Sequence, residues 1–195
     1  LESLITKALL SSGPVPDIAQ FLRHYYSSIY ERMTKNEIVL SGIHKNYKVC
    51  MVGVGNMPLS MLFMHRFTGA NIVGIDKSSE AISSTQQCVE FVSQYAPNRY
   101  NHEAISVVAA DGEVFDYGDF DVVILSIHIS NKDAVTRRIL ETSNNTKLIV
   151  LDRQVGGLCQ YFYKNNLIDA QKEFFVLADH VNSGVITSQS LFVRS

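Results

Sequence analysis

The stretch Lys48-Val-Cys-Met-Val-Gly-Val-Gly-Asn-Met-Pro-Leu-Ser60 decides the fold that we predict for this chain. Its first half is a run of apolar and β-branched residues, which is typical of a fully buried strand. Its second half is a glycine turn that opens a helix. Gly53 and Gly55 lack a Cβ, so the backbone can turn sharply and a ligand can approach it closely. Pro58 suits the first turn of the helix because the amide that it lacks would have no partner there.

The next apolar segment ends in Asp76, about 20 residues after Gly55, which is the spacing of a nucleotide-binding βαβ unit. In such a unit the turn carries the nucleotide and the carboxylate holds the ribose hydroxyls. The third glycine of the dinucleotide fingerprint is missing. Because no pyrophosphate then needs the third close approach, the pattern favours S-adenosylmethionine over NAD. A purely structural βα turn is the alternative.

Composition limits the classes of function. The chain has 195 residues, of which 46% are hydrophobic and 18% charged, so it can bury one good core. Lys and Arg number 17 against 19 acidic residues, giving a net charge of −2 without a basic block. We therefore expect no nucleic-acid partner.

Cysteine and histidine spacing predicts no metal site. Cys50, Cys88 and Cys159 are far apart and form no Cys-x-x-Cys or zinc pattern, which favours a reducing cytoplasm.

No apolar run approaches the ~18 residues of a membrane span, and no signal pattern is present at the N-terminus, so we expect no membrane association. The chain begins at Leu1 and not at Met, and we expect that residues before it were removed or left out.

The N-terminal part is predicted to be helical, with a short helix over residues 1–10 and a second from Asp17 to about Met33. The tyrosines of the second helix are interpreted as packing residues, with pocket lining as the alternative, and the nearby acidic residues as solvated. These residues are Tyr25, Tyr26, Tyr30, Glu31 and Glu37.

Strand and helix patterns alternate after the glycine turn and end in two strands with a short connection. The predicted strands are 48–52, 71–76, 104–109, 120–126, 147–151, 174–178 and 184–193, and the predicted helices after the turn are 58–67, 79–94 and 132–142. This order predicts an α/β, Rossmann-like class I methyltransferase fold. Its mostly parallel seven-stranded sheet ends in an antiparallel hairpin. We expect a helical extension over 1–47 and an S-adenosylmethionine-binding domain over 48–195.

On this fold the ligand lies at the carboxyl ends of the strands. Asp111 follows strand three, where its carboxylate can accept a hydrogen bond from an adenine amino group. A structural Asp-Gly turn is the alternative. The predicted cofactor-binding residues are Gly53, Val54, Gly55, Asn56, Pro58, Asp76, Lys77, Asp111, Gly112 and Ser126.

Catalytic chemistry is expected after strand four, at Ser126-Ile-His128. The Asn/Asp-Pro-Pro-aromatic box, which many amino methyltransferases acting on nucleic acids carry there, is missing. His128 can act as a general base near neutral pH, and a structural histidine between isoleucines is the alternative.

Several motifs resemble one family. Val52–Ser60, with Pro-Leu-Ser after the turn, looks like the nicotianamine synthases, whose motif is Val-Gly-Ser-Gly followed shortly by Pro-Leu-Thr. Thr68–Asp76 is similar to the bacterial aminobutanoyltransferases that make staphylopine-type opine metallophores. An Arg-x-x-x-Gly pattern begins at Arg153 and precedes Tyr161–Tyr163, as in both groups. Val181–Ser183 is similar to the Val-Asn-Ser segment of the plant enzymes.

The resemblance implies transfer of the 3-amino-3-carboxypropyl group of S-adenosylmethionine to a small amine or amino acid, with release of methylthioadenosine. Arg153 is then a candidate to hold a carboxylate of donor or acceptor, with a surface salt bridge as the alternative. Tyr161 and Tyr163 are candidates for the pocket wall, and the catalytic candidates are His128, Arg153 and Tyr161.

The family carries a larger helical N-terminal domain than residues 1–47 supply here, and we assign no residue to its catalytic glutamate. A small-molecule methyltransferase and a non-catalytic S-adenosylmethionine-binding domain are the alternatives. We expect a cytoplasmic protein of metallophore biosynthesis, as a homodimer.

Overall fold

The computed structural model describes the backbone of residues 17–155, 175–182 and 187–194, and the side chains of residues 27–154. The strands are β1 (Lys48–Val52), β2 (Asn71–Asp76), β3 (Ile105–Ala109), β4 (Val122–Leu125), β5 (Ile149–Val155), β6 (Phe175–Asn182) and β7 (Thr187–Arg194). The helices are α1 (Asp17–Ser41), α2 (Leu59–Thr68), α3 (Ser79–Tyr95) and α4 (Lys132–Thr142), with one turn of 3₁₀-helix over His102–Ala104.

These strands form one sheet in the order β3-β2-β1-β4-β5-β7-β6. The first five strands pair in parallel, whereas β7 pairs antiparallel with both β5 and β6. The predicted Rossmann-like fold with a terminal antiparallel hairpin is therefore confirmed. The strand order reverses beside β1, between β1 and β4, and in open α/β sheets ligands bind at that switch point.

Successive side chains of each strand point to opposite faces of the sheet, so the core has two layers. Cys50, Val123 and Val150 point to the face covered by α4. Met51 and Ile124 point to the opposite face, which α2 and α3 cover. Because both faces of the central strands are buried, their sequences are apolar without alternation, as predicted for a parallel sheet.

Local signals set most helix boundaries. Ser78 accepts a hydrogen bond from the backbone N–H of Ala81 at 3.2 Å and caps α3. Asn131 caps α4 in the same way, accepting from Ala134 at 3.1 Å. Gly69 closes α2 in the left-handed conformation, with φ of 70°.

Helix α1 is longer than its sequence predicts. It continues past Met33 to Ser41 and ends at Gly42, which has φ of 67°. The prediction of an end near Met33 was wrong because the inward-facing positions of the last two turns include Thr34, Glu37 and Ser41. Polar residues at those positions hide the apolar periodicity on which the prediction depended.

Several strand boundaries differ from prediction, and the largest differences are in β4, β5 and β6. Strand β5 does not stop at Leu151 and extends to Val155, so Arg153 lies within it. Strand β6 includes the segment 179–182, predicted as a loop, because its residues pair with β7 through a register shift between Leu177 and Asp179. Strand β4 is shorter than predicted, spanning Val122–Leu125.

No helix in the described part of the chain is long and apolar enough to cross a membrane.

Candidate functional site

A cavity of about 370 Å³ lies at the carboxyl ends of the parallel strands. This size falls within the range of small-molecule sites. All ten predicted cofactor-binding residues line it, together with His128 and Arg153; the ten are Gly53, Val54, Gly55, Asn56, Pro58, Asp76, Lys77, Asp111, Gly112 and Ser126. Tyr161 and Tyr163 lie outside the described residues. The sequence therefore identified which residues meet at this edge of the sheet, whereas their roles stay predictions.

The glycine turn has the geometry that the sequence predicted. Gly53 has φ of 77° and Gly55 has φ of 65°, a region that side chains with a Cβ rarely adopt. A Cβ on Gly53 would also lie 3.1 Å from the Cβ of Ser126 at the end of β4. The turn after β1 thus lies close to the end of β4, and both line the cavity.

Two backbone amides orient the Asp76 carboxylate. Its Oδ2 accepts from the N–H of Gly55 at 2.9 Å, and its Oδ1 accepts from the N–H of Ser78 at 2.9 Å. Each carboxylate oxygen has a second lone pair, so both can accept from the hydroxyls of a ligand in the cavity. This is the arrangement expected of a ribose-binding acid at the end of β2.

Thr85 of α3 fixes the same turn from behind, and the sequence analysis missed it. Thr85 is completely buried, and its Oγ1 donates to the carbonyl oxygen of Gly55 at 2.8 Å. A polar residue on the apolar face of a helix was the available signal. The turn is therefore held by side chains of both β2 and α3.

The Asp111-Gly112 turn serves structure and lines the cavity at once. Asp111 Oδ1 accepts from the N–H of Glu113 at 3.0 Å, and the carbonyl of Gly112 accepts from the Tyr117 hydroxyl at 3.0 Å. A Cβ on Gly112 would lie 2.9 Å from Cγ1 of Val52. Burial is the main reason why the pKa of the Tyr117 hydroxyl is raised. The hydroxyl therefore keeps its proton and its hydrogen bond to the carbonyl of Gly112.

Arg153 is bound by a buried carboxylate at the opposite end of the cavity. Its Nε donates to Glu37 Oε1 at 2.6 Å, its Nη2 donates to Glu37 Oε2 at 2.9 Å, and its Nη1 donates to Ser60 Oγ at 3.1 Å. Arg153 is 6% exposed and Glu37 is 0% exposed. The alternative of a surface salt bridge for Arg153 was therefore wrong, and so was the interpretation of Glu37 as solvated.

Helix α1 supplies a polar stripe on its inner face. The sequence analysis recognised only its Tyr30, for which pocket lining was the alternative to packing. Tyr30 lines the cavity, Thr34 and Glu37 are completely buried, and Ser41 is nearly so. The spacing i, i+4, i+7 and i+11 places all four on one face of a helix. The sequence carried this signal, but polar residues at helical spacing are usually solvated.

A second buried ion pair lies on the other face of β5. Lys132 Nζ, at the start of α4, donates to Asp152 Oδ1 at 2.6 Å and to the carbonyl of Arg153 at 2.6 Å. Asp152 is completely buried and Lys132 is 5% exposed. Two adjacent residues of β5 thus make opposite ion pairs with helices on opposite faces of the sheet.

The cavity has two ends that differ in their polar groups. Three acids, Asp76, Asp111 and Glu113, lie with Lys77 at the end formed by β2 and β3, and Arg153 lies at the end formed by β5. Among residues 27–154 no group of His, Cys, Asp and Glu side chains is arranged to hold a metal ion. The arrangement can accept hydrogen bonds from hydroxyl and amino groups at one end and bind an anionic group at the other.

No protein-family model and no curated protein matches the sequence. Solved structures match it in fold. A glutamate-to-glutamine variant of MtNAS, a nicotianamine synthase, in complex with S-adenosylmethionine matches with a TM-score of 0.79 and 19% identity, over 98% of this chain and 70% of that chain. MtNAS in complex with MTA and tNA matches with a TM-score of 0.80 and 20% identity, over 100% of this chain and 69% of that chain.

An ordinary methyltransferase also matches. Magnesium protoporphyrin IX methyltransferase (ChlM) from Synechocystis PCC 6803 with bound SAM has a TM-score of 0.64 and 16% identity, over 98% of this chain and 90% of that chain. This chain has the class I methyltransferase fold. Fold likeness at such identities does not assign a reaction, because one fold carries many chemistries.

Proposed function

We propose that this protein is an S-adenosylmethionine-dependent transferase that moves the 3-amino-3-carboxypropyl group to a small amine or amino acid. The observation that carries the proposal is the two-ended cavity, with the oriented Asp76 carboxylate at one end and the buried Arg153 guanidinium at the other. A nucleoside joined to an amino acid presents hydroxyls at one end and a carboxylate at the other.

The nucleoside end fits the adenosine part of the donor. Asp76 would accept from the ribose hydroxyls, and Asp111 would accept from the adenine amino group. The turn of Gly53 and Gly55 offers backbone that carries no Cβ where the donor would pass. These roles match the residues that line the cavity, and the fold neighbours that are described with SAM or MTA support them.

The arginine end would hold a carboxylate of the donor or of the acceptor. The sulfonium of the donor makes all three of its carbon substituents electrophilic, so the carbon that reacts depends on where the acceptor nitrogen is held. Arg153, fixed by Glu37 and Ser60, would place the carboxylate-bearing chain, and buried surroundings would exclude water. His128 stays a candidate base on the cavity wall.

Methyl transfer to a small molecule is the second candidate. The likeness to ChlM over 98% of this chain favours it, since the glycine turn and Asp76 would serve either reaction. The cytoplasmic location, the homodimer, the role in metallophore biosynthesis and the domain boundary after residue 47 stay predictions from the sequence.

Mass spectrometry of the released nucleoside tests the proposal. The protein is incubated with S-adenosylmethionine and a panel of amines and amino acids that includes histidine. Methylthioadenosine above the spontaneous background supports aminocarboxypropyl transfer, whereas S-adenosylhomocysteine would establish methyl transfer instead. If neither nucleoside is released while the donor binds, the transferase proposal fails and a binding domain remains.

A further inference from the structure

Glu37 holds Arg153 without facing the cavity itself. Arg153 lines the cavity wall, whereas Glu37 is completely buried behind it on α1. The two bonds from Nε and Nη2 to the Glu37 carboxylate fix the plane of the guanidinium, and the bond from Nη1 to Ser60 fixes its other side. An acid that orients a cation toward a ligand site acts as a positioning residue.

The guanidinium keeps donors for a ligand. Arginine has five N–H donors, and three of them are used by Glu37 and Ser60. One N–H on Nη1 and one on Nη2 make no hydrogen bond within the part of the chain that the structure describes. Two terminal nitrogens with one donor each can bind a carboxylate in the bidentate manner.

The buried pair is also electrically balanced. An unpaired cation at this depth would be strongly unfavourable, and Glu37 offsets it. The balance limits how strongly the site attracts an anion, because a bound carboxylate brings the local charge to −1 and not to zero. Glu37 therefore acts on a ligand carboxylate in two ways, through the direction of the guanidinium and through its charge.

We propose that Glu37 is a positioning residue that presents Arg153 to the carboxylate of an α-amino-acid group and sets how tightly that carboxylate binds. The proposal rests on the function proposed above. It predicts opposite effects for two substitutions of one residue. Glu37→Asp keeps the charge and shortens the side chain, so the guanidinium is drawn away from the ligand. Glu37→Gln keeps the length, removes the charge and leaves one oxygen to accept from the guanidinium. The charge on Arg153 is then no longer offset, so it attracts the ligand carboxylate more strongly.

The experiment measures preference for a carboxylate in matched ligand pairs by calorimetry. The donor pair is S-adenosylmethionine and its decarboxylated form, and the acceptor pair is histidine and histamine with methylthioadenosine present. We expect Glu37→Asp to lower the preference in one pair about tenfold, which corresponds to about one charge-assisted hydrogen bond. We expect Glu37→Gln to raise the preference in the same pair severalfold. The pair that responds identifies donor or acceptor as the source of the carboxylate.

Glu31→Gln is the matched control, since Glu31 is an acid on the same helix whose ion pair with Lys35 lies at the surface. It should leave both preferences unchanged. Affinity for methylthioadenosine, which has no carboxylate, should be equal in all variants and shows that each one folds. If Glu37→Gln does not bind methylthioadenosine with the affinity of the wild type, the carboxylate preference of Glu37→Asp alone tests the proposal.

Two results would overturn the proposal. The first is a wild-type protein that binds methylthioadenosine yet shows no carboxylate preference in either pair. The second is an unchanged preference in Glu37→Asp. A wild-type protein that does not bind methylthioadenosine would instead refute the proposed function, so the two failures are distinguishable.

Discussion

The N–H of Gly55 donates to Oδ2 of Asp76 at 2.9 Å and joins the turn after β1 to the end of β2. The spacing of Gly55 and Asp76 in the sequence predicted a nucleotide site, and the two residues are in direct contact. The bond holds the turn open toward the cavity and holds the carboxylate in one orientation. Loss of the charge on Asp76 should therefore disturb both parts of the proposed nucleoside end.

We expect Asp76→Asn to weaken binding of methylthioadenosine about 10- to 100-fold, since hydrogen bonds to charged groups contribute about 1.5–3 kcal/mol. Isothermal titration calorimetry measures the affinity. Asp119→Asn is the control, because Asp119 is exposed and its side chain is 82% accessible. Equal affinities for the two variants would refute the ligand assignment.

Gly74 of β2 allows the turn and α2 to pack against the strand. A Cβ at this position would lie 2.7 Å from Met61 Sδ and 2.8 Å from Val54 Cγ1, and both of these residues line the cavity. We expect Gly74→Ala to lower the free energy of unfolding by about 1–3 kcal/mol, as overpacking does, and to weaken methylthioadenosine binding. Urea denaturation and calorimetry measure the two effects.

Gly42→Ala provides the contrast for Gly74→Ala. Apart from its chain neighbours, no heavy atom of the described residues lies within 4 Å of a Cβ at Gly42, but its φ of 67° is unfavourable for alanine. We expect a loss of about 1–2 kcal/mol in stability with unchanged ligand affinity. A ligand effect as large as that of Gly74→Ala would contradict the local explanation.

Removing one partner of the Lys132–Asp152 pair should lower the free energy of unfolding strongly, whereas replacing both partners by apolar residues should lower it little. We expect Lys132→Met to destabilise the protein by about 3–5 kcal/mol, because the buried Asp152 would lose its cation and keep only the hydrogen bond from Gln154 to its Oδ2. The double variant Lys132→Met with Asp152→Leu should recover most of this loss. Lys35→Met, at an exposed pair, should cost less than about 1 kcal/mol in the same urea experiment. A double variant less stable than Lys132→Met would argue against this account.

Stability should fall at alkaline pH. Burial raises the pKa of the Cys50 thiol above its ordinary value of 9.0. The folded protein therefore keeps a proton that the unfolded chain releases. This contribution to stability is complete below pH 9.0 and is lost as the pH rises toward the higher pKa of the folded state.

We expect Cys50→Ala to reduce the slope of the free energy of unfolding against pH by about 1.4 kcal/mol per pH unit above pH 9. Urea denaturation at a series of pH values measures the slope. Cys88 and Tyr117, whose pKa values burial also raises, should leave a residual slope. Identical slopes for the variant and the wild type would show that Cys50 is not the cause.

The sequence predicted what local patterns determine. The bounds of β2 and α4 were predicted correctly, because the apolar run ending in Asp76 and the helical pattern over 132–142 are local signals. The partnership of Arg153 with Glu37 joins residues 116 positions apart, and no local pattern announces it. The continuation of β6 through Asn182 depends likewise on pairing with β7. Long-range electrostatic and backbone pairing explain the misses.

The neighbouring charges of β5 bear on how the chain finds its fold. Asp152 meets Lys132 on one face, and Arg153 meets Glu37 on the other. A slip of the strand by one residue would exchange the faces, bringing Asp152 toward Glu37 and Arg153 toward Lys132. Both original ion pairs would be lost, and each charge would lie on the side of the sheet that carries a like charge, where an uncompensated buried charge costs several kcal/mol. A strand with only apolar residues would tolerate such a slip, whereas the adjacent opposite charges of Asp152 and Arg153 select one register for β5.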